Sequence, residues 1–329
     1  MSKPSGPGLW ADGPAGAVPV AREVRLGGAT LMVGTCSWTD PTLTKQTTWY
    51  PKRSMSAAER LRYYAGQFPL VEVDATYYRP PSRELARSWA ERVPERFCFD
   101  IKAYGLLTGH PVGPATLWPD IRRELSGDAA GKRRVYAHHL PAEARQEVWA
   151  RFIDALAPLR EGGHLGAVLF QYPPWFVPGR SNRDELARLP EHLNGAQAAV
   201  ELRSPRWWGD DERQRTLALL RSLGLAAVVV DAPPASALPT VLASTTDELA
   251  VVRFHGRADS SWDARNLTAA ERFRYLYSEA ELAEWAARAR RLAQMASRVH
   301  LLMNNCYQDY GVRNAAQLAA LLAAEADGG

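Results

Sequence analysis

The chain has 329 residues, 46% hydrophobic and 23% charged, the composition of a globular protein and not of a disordered or fibrous one. Its 40 basic and 36 acidic side chains leave a formal charge of only +4, too small a surplus to argue by itself for a nucleic-acid partner. No run approaches the roughly 20 apolar residues of a membrane span, and Cys36, Cys98 and Cys306 offer neither an even disulfide framework nor metal-ligand spacing.

Residues 1–28, rich in Pro, Gly and Ala, read as a flexible tail and not as a signal peptide. Residues 29–326 then read as one domain in which short apolar runs alternate with helical patterns. The expected strands are "TLMVGTC" (30–36), "LVEVDAT" (70–76), "FCFDIKA" (97–103) and "LGAVLFQY" (165–172). They continue with "QAAVELR" (197–203), "LAAVVVDA" (225–232), "ELAVVRFHG" (248–256) and "RVHLLMNN" (298–305). Val, Ile and Phe concentrate in these runs, and Gly or Pro punctuates them.

Helices fit the intervals. The stretch "SMSAAERLRYYAGQF" offers Ser54 or Ser56 as a cap, and "SRELARSWAERV" offers Ser82. "DDERQRTLALLRSLG" opens with acids and stops at Gly224, in accord with the helix dipole and the glycine stop. Two Ala/Leu-rich helices, "EAELAEWAARARRLAQMA" and "NAAQLAALLAAEA", follow near the carboxyl end. The stretch 104–142 is too long for a simple connection and reads as an insertion or lid carrying an exposed His138-His139 pair.

Eight strands interleaved with helices call for parallel pairing through right-handed crossovers, and closing them gives a TIM-like parallel (β/α)8 barrel, an α/β fold. The rival open doubly wound sheet lacks its GxGxxG loop after the first strand.

Several strand ends carry distinctive wording: "GTCSW" (34–38), "WYP" (49–51), "YYA" (63–65), "VEVDATYYRPPS" (71–82), "FDIKA", "LGAVLFQYPPWF", "VELRSPRWW", "VVRFHGR" and "LLMNNCYQDYGVRNA". In this order, from about residue 31 to 320, the chain resembles the YecE-like family, known as domain of unknown function 72. The resemblance implies a parallel β/α barrel and no particular reaction. The chain departs from the family pattern at Asp74, where Asn is usual, at Cys36-Ser37, and at "LTGH", where a residue separates Thr108 from His110.

In such a barrel, functional groups gather at the carboxyl ends of the strands. There the chain offers Glu72 and Asp74, Lys102, Gln171, Glu201 and Arg203, Asp231, Arg253 and His255, and Asn304 and Asn305. Residues two apart in a strand share a face, so an inward Glu201 brings Arg203 with it. Opposite charges nearly cancel, and an unpaired buried charge would be expensive. Arg203 and Arg253 suit a phosphate or carboxylate, with Lys102 as a further point charge. Glu201, His255, Lys102 and Asp231 are the catalytic candidates, with Glu201 or His255 moving the proton. The others, with Asn304 and Asn305 aimed at hydroxyls or an oxyanion, are binding candidates. Trp38, Tyr77, Tyr78 and Trp207 follow strand ends and can stack a sugar or base, and Arg79 can add an anion contact.

The expected function is acid–base hydrolysis or elimination on a small anionic, phosphorylated or sugar-like ligand in the cytoplasm. No cofactor is expected, a single Mg²⁺ being compatible with the carboxylates but no dedicated metal site. Nucleic-acid binding through the rim aromatics and the basic insertion is one alternative, and a noncatalytic scaffold with an ionic interior is the other. No membrane partner is expected, and oligomeric state is not legible. Cys36 and Cys306, at the ends of neighbouring strands, are expected to stay reduced.

Overall fold

The alternating pattern closes into a ring. A computed structural model describes residues 20–259 and 267–326. Its strands are β1 (Val24–Leu26), β2 (Ala29–Thr35), β3 (Leu70–Val73), β4 (Cys98–Lys102), β5 (Leu165–Tyr172), β6 (Ala198–Leu202), β7 (Ala226–Asp231), β8 (Leu249–Phe254) and β9 (Arg298–Met303). From β2 to β9 each strand pairs in parallel with the next, and β9 pairs with β2. These eight parallel strands, with helices between them, form a TIM-like barrel.

Side-chain alternation then sorts each strand into two faces. On β8, Leu249 and Val251 join an inner apolar cluster with Met32, Leu70, Leu169 and Val228, while Ala250, Val252 and Phe254 join the larger core under the helices. The helices begin where their caps dictate. Ser56 and Glu59 form a reciprocal capping box for Ala57–Ala65, Ser82 caps Arg83–Ala90, and Ser278 and Glu281 repeat the box for Glu279–Ala293. Gly224, at φ +65°, follows the helix Asp210–Ser222.

The expected tail ends earlier than residue 28. Val24–Leu26 pairs antiparallel with Ala29–Leu31, and Ala21 and Val24 are buried. The turn is Gly27-Gly28, at φ +56° and +93°, a two-residue hairpin that only residues tolerant of positive φ make easily. Residues 1–19 of that tail lie outside the described residues.

The stretch 104–142 is folded onto the barrel. It consists of 3₁₀ turns, a short helix Pro119–Arg123 and a bridge between Val112 and Val135. Leu106, Leu107, Val112, Leu117, Ile121 and Val135 bury its inner side, and Lys132, Arg133, Arg134 and His138 remain exposed. No helix among the described residues is long and apolar enough to cross a membrane.

Candidate functional site

The carboxyl end of the barrel holds two polar layers. The deeper one is built around Arg253, which projects from β8 and is fully buried. Its Nε and Nη2 donate to Oε2 and Oε1 of Glu72 at 2.8 and 2.6 Å, and its Nη1 donates to Oε2 of Glu201 at 2.6 Å and to Gln171 Oε1 at 3.1 Å. Arg253 thus answers two buried carboxylates with one planar fork. Burial alone would favour its neutral form, but Glu72 and Glu201 hold its pKa well above the ordinary value. Burial pushes the Glu72 carboxyl up, with Arg253 pulling against it. For Glu201 burial loses: the charges of Arg203 and Arg253, with His255, keep it well below the usual carboxylate range.

Above it, Arg203 donates through Nε to Glu201 Oε1, and its Nη2 lies 3.1 Å from His255 Nε2 and 3.3 Å from Gln171 Oε1. His255 Nδ1 is 2.8 Å from the Asn304 side-chain amide. Burial and Arg203 push His255 down to about 3, against the pull of Glu201, so the imidazole is neutral at ordinary pH. Glu201 and His255 are fully enclosed, and every oxygen of Glu201 already has a partner. They orient Arg203 from below.

The upper layer borders solvent. Asp74 follows β3 in a 3₁₀ turn, Asp74–Tyr77, where a longer strand was expected. Its Oδ1 accepts from Lys102 Nζ at 2.6 Å, and despite burial Lys102 lowers its pKa. Lys102 Nζ also lies 4.8 Å from the centre of the Tyr77 ring, a cation–π contact. Tyr78 and Trp175 remain 60% and 58% exposed.

His110 belongs to this layer. The insertion brings its ring to 5.2 Å from Tyr77 and 5.7 Å from Trp175, edge-on to both, with Nδ1 2.9 Å from Thr108 Oγ1. Burial lowers its pKa to about 4, assisted by the charges of Lys102 and Arg203. The sequence marked His110 only as a departure from a family pattern; a histidine inside a long insertion was the available signal.

Other expected members are placed elsewhere. Val228 and Val230 take the inner face of β7, so Asp231 turns outward, accepting from Trp285 Nε1 at 3.0 Å and from Arg257 Nε at 3.1 Å. Asn304 faces in, and Asn305 therefore faces out, bonded to Tyr275 O and Asn314. Trp207 is wholly buried, donates to Phe176 O and stacks on Phe176. Trp38 donates to Ala57 O and packs edge-on against Trp89. These two tryptophans serve loop and core packing. Arg79 is exposed beyond the Asp74–Tyr77 turn. Cys36 and Cys306 are both free thiols.

Fold and site together can be set beside known proteins. The family model described as "Protein of unknown function DUF72" matches residues 32–328. The chain belongs to the DUF72 family. Its DUF72 sequence is 28% identical over 284 residues to UPF0759 protein YunF of Bacillus subtilis (strain 168), covering 85% of this chain and 92% of that protein. A DUF72 family protein of Enterococcus faecalis V583 superposes with a TM-score of 0.71 at 25% identity, covering 89% of this chain and 95% of that one. A DUF72 family protein of Thermotoga maritima MSB8 gives 0.68 at 28% identity, covering 89% and 98%.

Proposed function

We propose that this protein is an enzyme performing acid–base hydrolysis or elimination on a small phosphorylated or otherwise anionic, sugar-like ligand at the barrel mouth. The observation that carries the reading is that Lys102 Nζ lies 4.8 Å from the Tyr77 ring, which packs edge-on against His110 at 5.2 Å, while Glu201 holds Arg203 at the same end of the barrel. Two cations at one end of the barrel suit an anion, with Lys102 as a point charge and Arg203 as a directional donor. Tyr78 and Trp175, left exposed beside it, supply flat apolar walls for a ring.

The proton carriers follow from what is accessible. Glu201 and His255 are sealed beneath the surface and fix Arg203, so they act as positioning residues. Asp74, ionised and open to the mouth, is the base; His110 is the acid. Held neutral chiefly by burial, His110 gains a proton when a bound anion offsets the charge of Lys102 and Arg203, since a neighbouring negative charge favours the charged imidazole. Substrate binding thus loads the acid. The mouth carboxylates are already engaged by Lys102, Arg203 and Arg253, so the reading invokes no metal ion. Asp231 and Asn305 take no part, because they face the helices.

Calorimetry with inorganic phosphate tests the anion site. Lys102→Ala or Arg203→Ala should weaken binding about 10-fold or more, the loss of a hydrogen bond to a charged group. A panel of sugar phosphates then tests turnover, which His110→Gln and Asp74→Asn should remove. Phosphate binding that ignores both cation variants would defeat the reading.

A further inference from the structure

At the opposite end of the barrel interior a second polar cluster sits among apolar side chains. Cys98 and Asp100 project inward from β4 and His300 projects inward from β9, strands that are not neighbours in the sheet. His300 Nδ1 lies 2.8 Å from Asp100 Oδ2 and 3.1 Å from Oδ1. One donor atom from each of Cys98, Asp100 and His300 falls within 4.8 Å of the other two.

We propose that Cys98, Asp100 and His300 bind one divalent cation of the Zn²⁺ or Co²⁺ class, clipping β4 to β9 across the interior.

Three features carry this. First, His300 is wholly buried, and its Nδ1 is the ring nitrogen that faces the cluster, with both Asp100 oxygens within 3.1 Å. Second, β5 presents Gly166 where a side chain would intrude. A Cβ there would lie 2.4 Å from Cys98 Sγ, 2.5 Å from Asp100 Oδ1 and 2.9 Å from His300 Cε1. Only glycine lets the three donors converge. Third, a sulfur, a nitrogen and an oxygen form the mixed set that Zn²⁺ and Co²⁺ accept, whereas Mg²⁺ and Ca²⁺ prefer oxygen. Three protein ligands leave a fourth position for water.

Zn²⁺ and Co²⁺ take cysteine as the thiolate, so the Cys98 thiol must give up its proton. Binding replaces that proton: the M²⁺–S⁻ bond forms as one H⁺ leaves to buffer. The carboxylate–imidazole contact already brings Asp100 Oδ2 and His300 Nδ1 side by side, as two ligands of one ion must lie. Lys102, at the carboxyl end of the same strand, belongs to the mouth, so the ion is a structural clip and not part of the proposed reaction.

Titration of the full-length, chelator-treated protein with Co²⁺ is the test. One equivalent should bind and produce a thiolate-to-cobalt charge-transfer band. Cys98→Ser should abolish that band, while Cys36→Ser and Cys306→Ser retain it. X-ray absorption at the zinc edge of the Zn²⁺-loaded, unsubstituted chain needs no variant and should show one sulfur at about 2.3 Å. No stoichiometric binding, a band that survives Cys98→Ser, or a zinc shell of nitrogen and oxygen alone would overturn the proposal. Phosphate binding at the mouth is measured separately, so failure here leaves that reading standing.

Discussion

Arg253 and Glu72, 181 residues apart in the chain, meet through two parallel hydrogen bonds of 2.8 and 2.6 Å in a space closed to solvent. The remaining Arg253 nitrogen, Nη1, ties Glu201 to the same centre. This triad supports everything above it, because Glu201 in turn holds Arg203 at the mouth.

Removing Arg253 should therefore unsettle the whole barrel. Arg253→Ala leaves Glu72 unanswered and Glu201 with Arg203 alone, and a loss of about 3–5 kcal/mol is expected from breaking such a pair. In urea unfolding, the double variant Arg253→Ala/Glu72→Ala should cost less than the sum of the two single changes. Strict additivity would mean that the contact carries no coupling.

Acid should destabilise the protein from near pH 6.5 downward. His255 titrates at about 3 in the folded protein and His110 at about 4, against about 6.5 when unfolded. Between those values the unfolded chain binds the extra proton, so stability falls as pH falls, by up to about 1.4 kcal/mol per pH unit for each group. Glu201, whose folded pKa is depressed, adds stability above its unfolded value of about 4.3 and loses it in stronger acid. His255→Gln should flatten the slope between pH 6.5 and 4.5 by one proton, read from urea midpoints across pH. An unchanged slope would contradict the neutral, buried imidazole.

His110 should report on its cations. By histidine NMR, its midpoint near 4 is expected to rise toward 6.5 in Lys102→Ala, since one of the charges depressing it is gone. Saturating inorganic phosphate should move the unsubstituted protein the same way. A midpoint indifferent to both would separate His110 from the proposed anion site.

The aromatic residues should divide into two groups. Trp207→Ala is expected to cost about 3–5 kcal/mol, the usual range for emptying a buried tryptophan site. Tyr78→Ala and Trp175→Ala, at exposed positions, should stay within about 0.5 kcal/mol of the parent while weakening ring-bearing ligands. Thermal unfolding and ligand titration on the same three variants decide it.

Sequence by itself determined the ring: eight apolar runs at regular intervals, with Ser56, Ser82 and Gly224 marking helix ends, leave a closed parallel barrel as the consistent arrangement, because local periodicity and caps are short-range properties. It also placed Glu72, Lys102, Glu201, Arg203, Arg253 and His255 together, since residues at corresponding strand ends share one rim. The hairpin at Gly27-Gly28 was not read from the sequence, because composition hid its turn glycines inside an apparent tail. Tertiary structure alone decided which way each end residue turned. A single step along a strand reverses the face, so Asp231 and Asn305 went to the helices while Asn304 stayed inside. It also decided depth, burying Glu201 and His255 beneath Arg203 and enclosing Trp38 and Trp207. Only closure of the ring brought Asp100 to His300 across 200 residues, because strand alternation specifies a face but not the partner waiting on the other side.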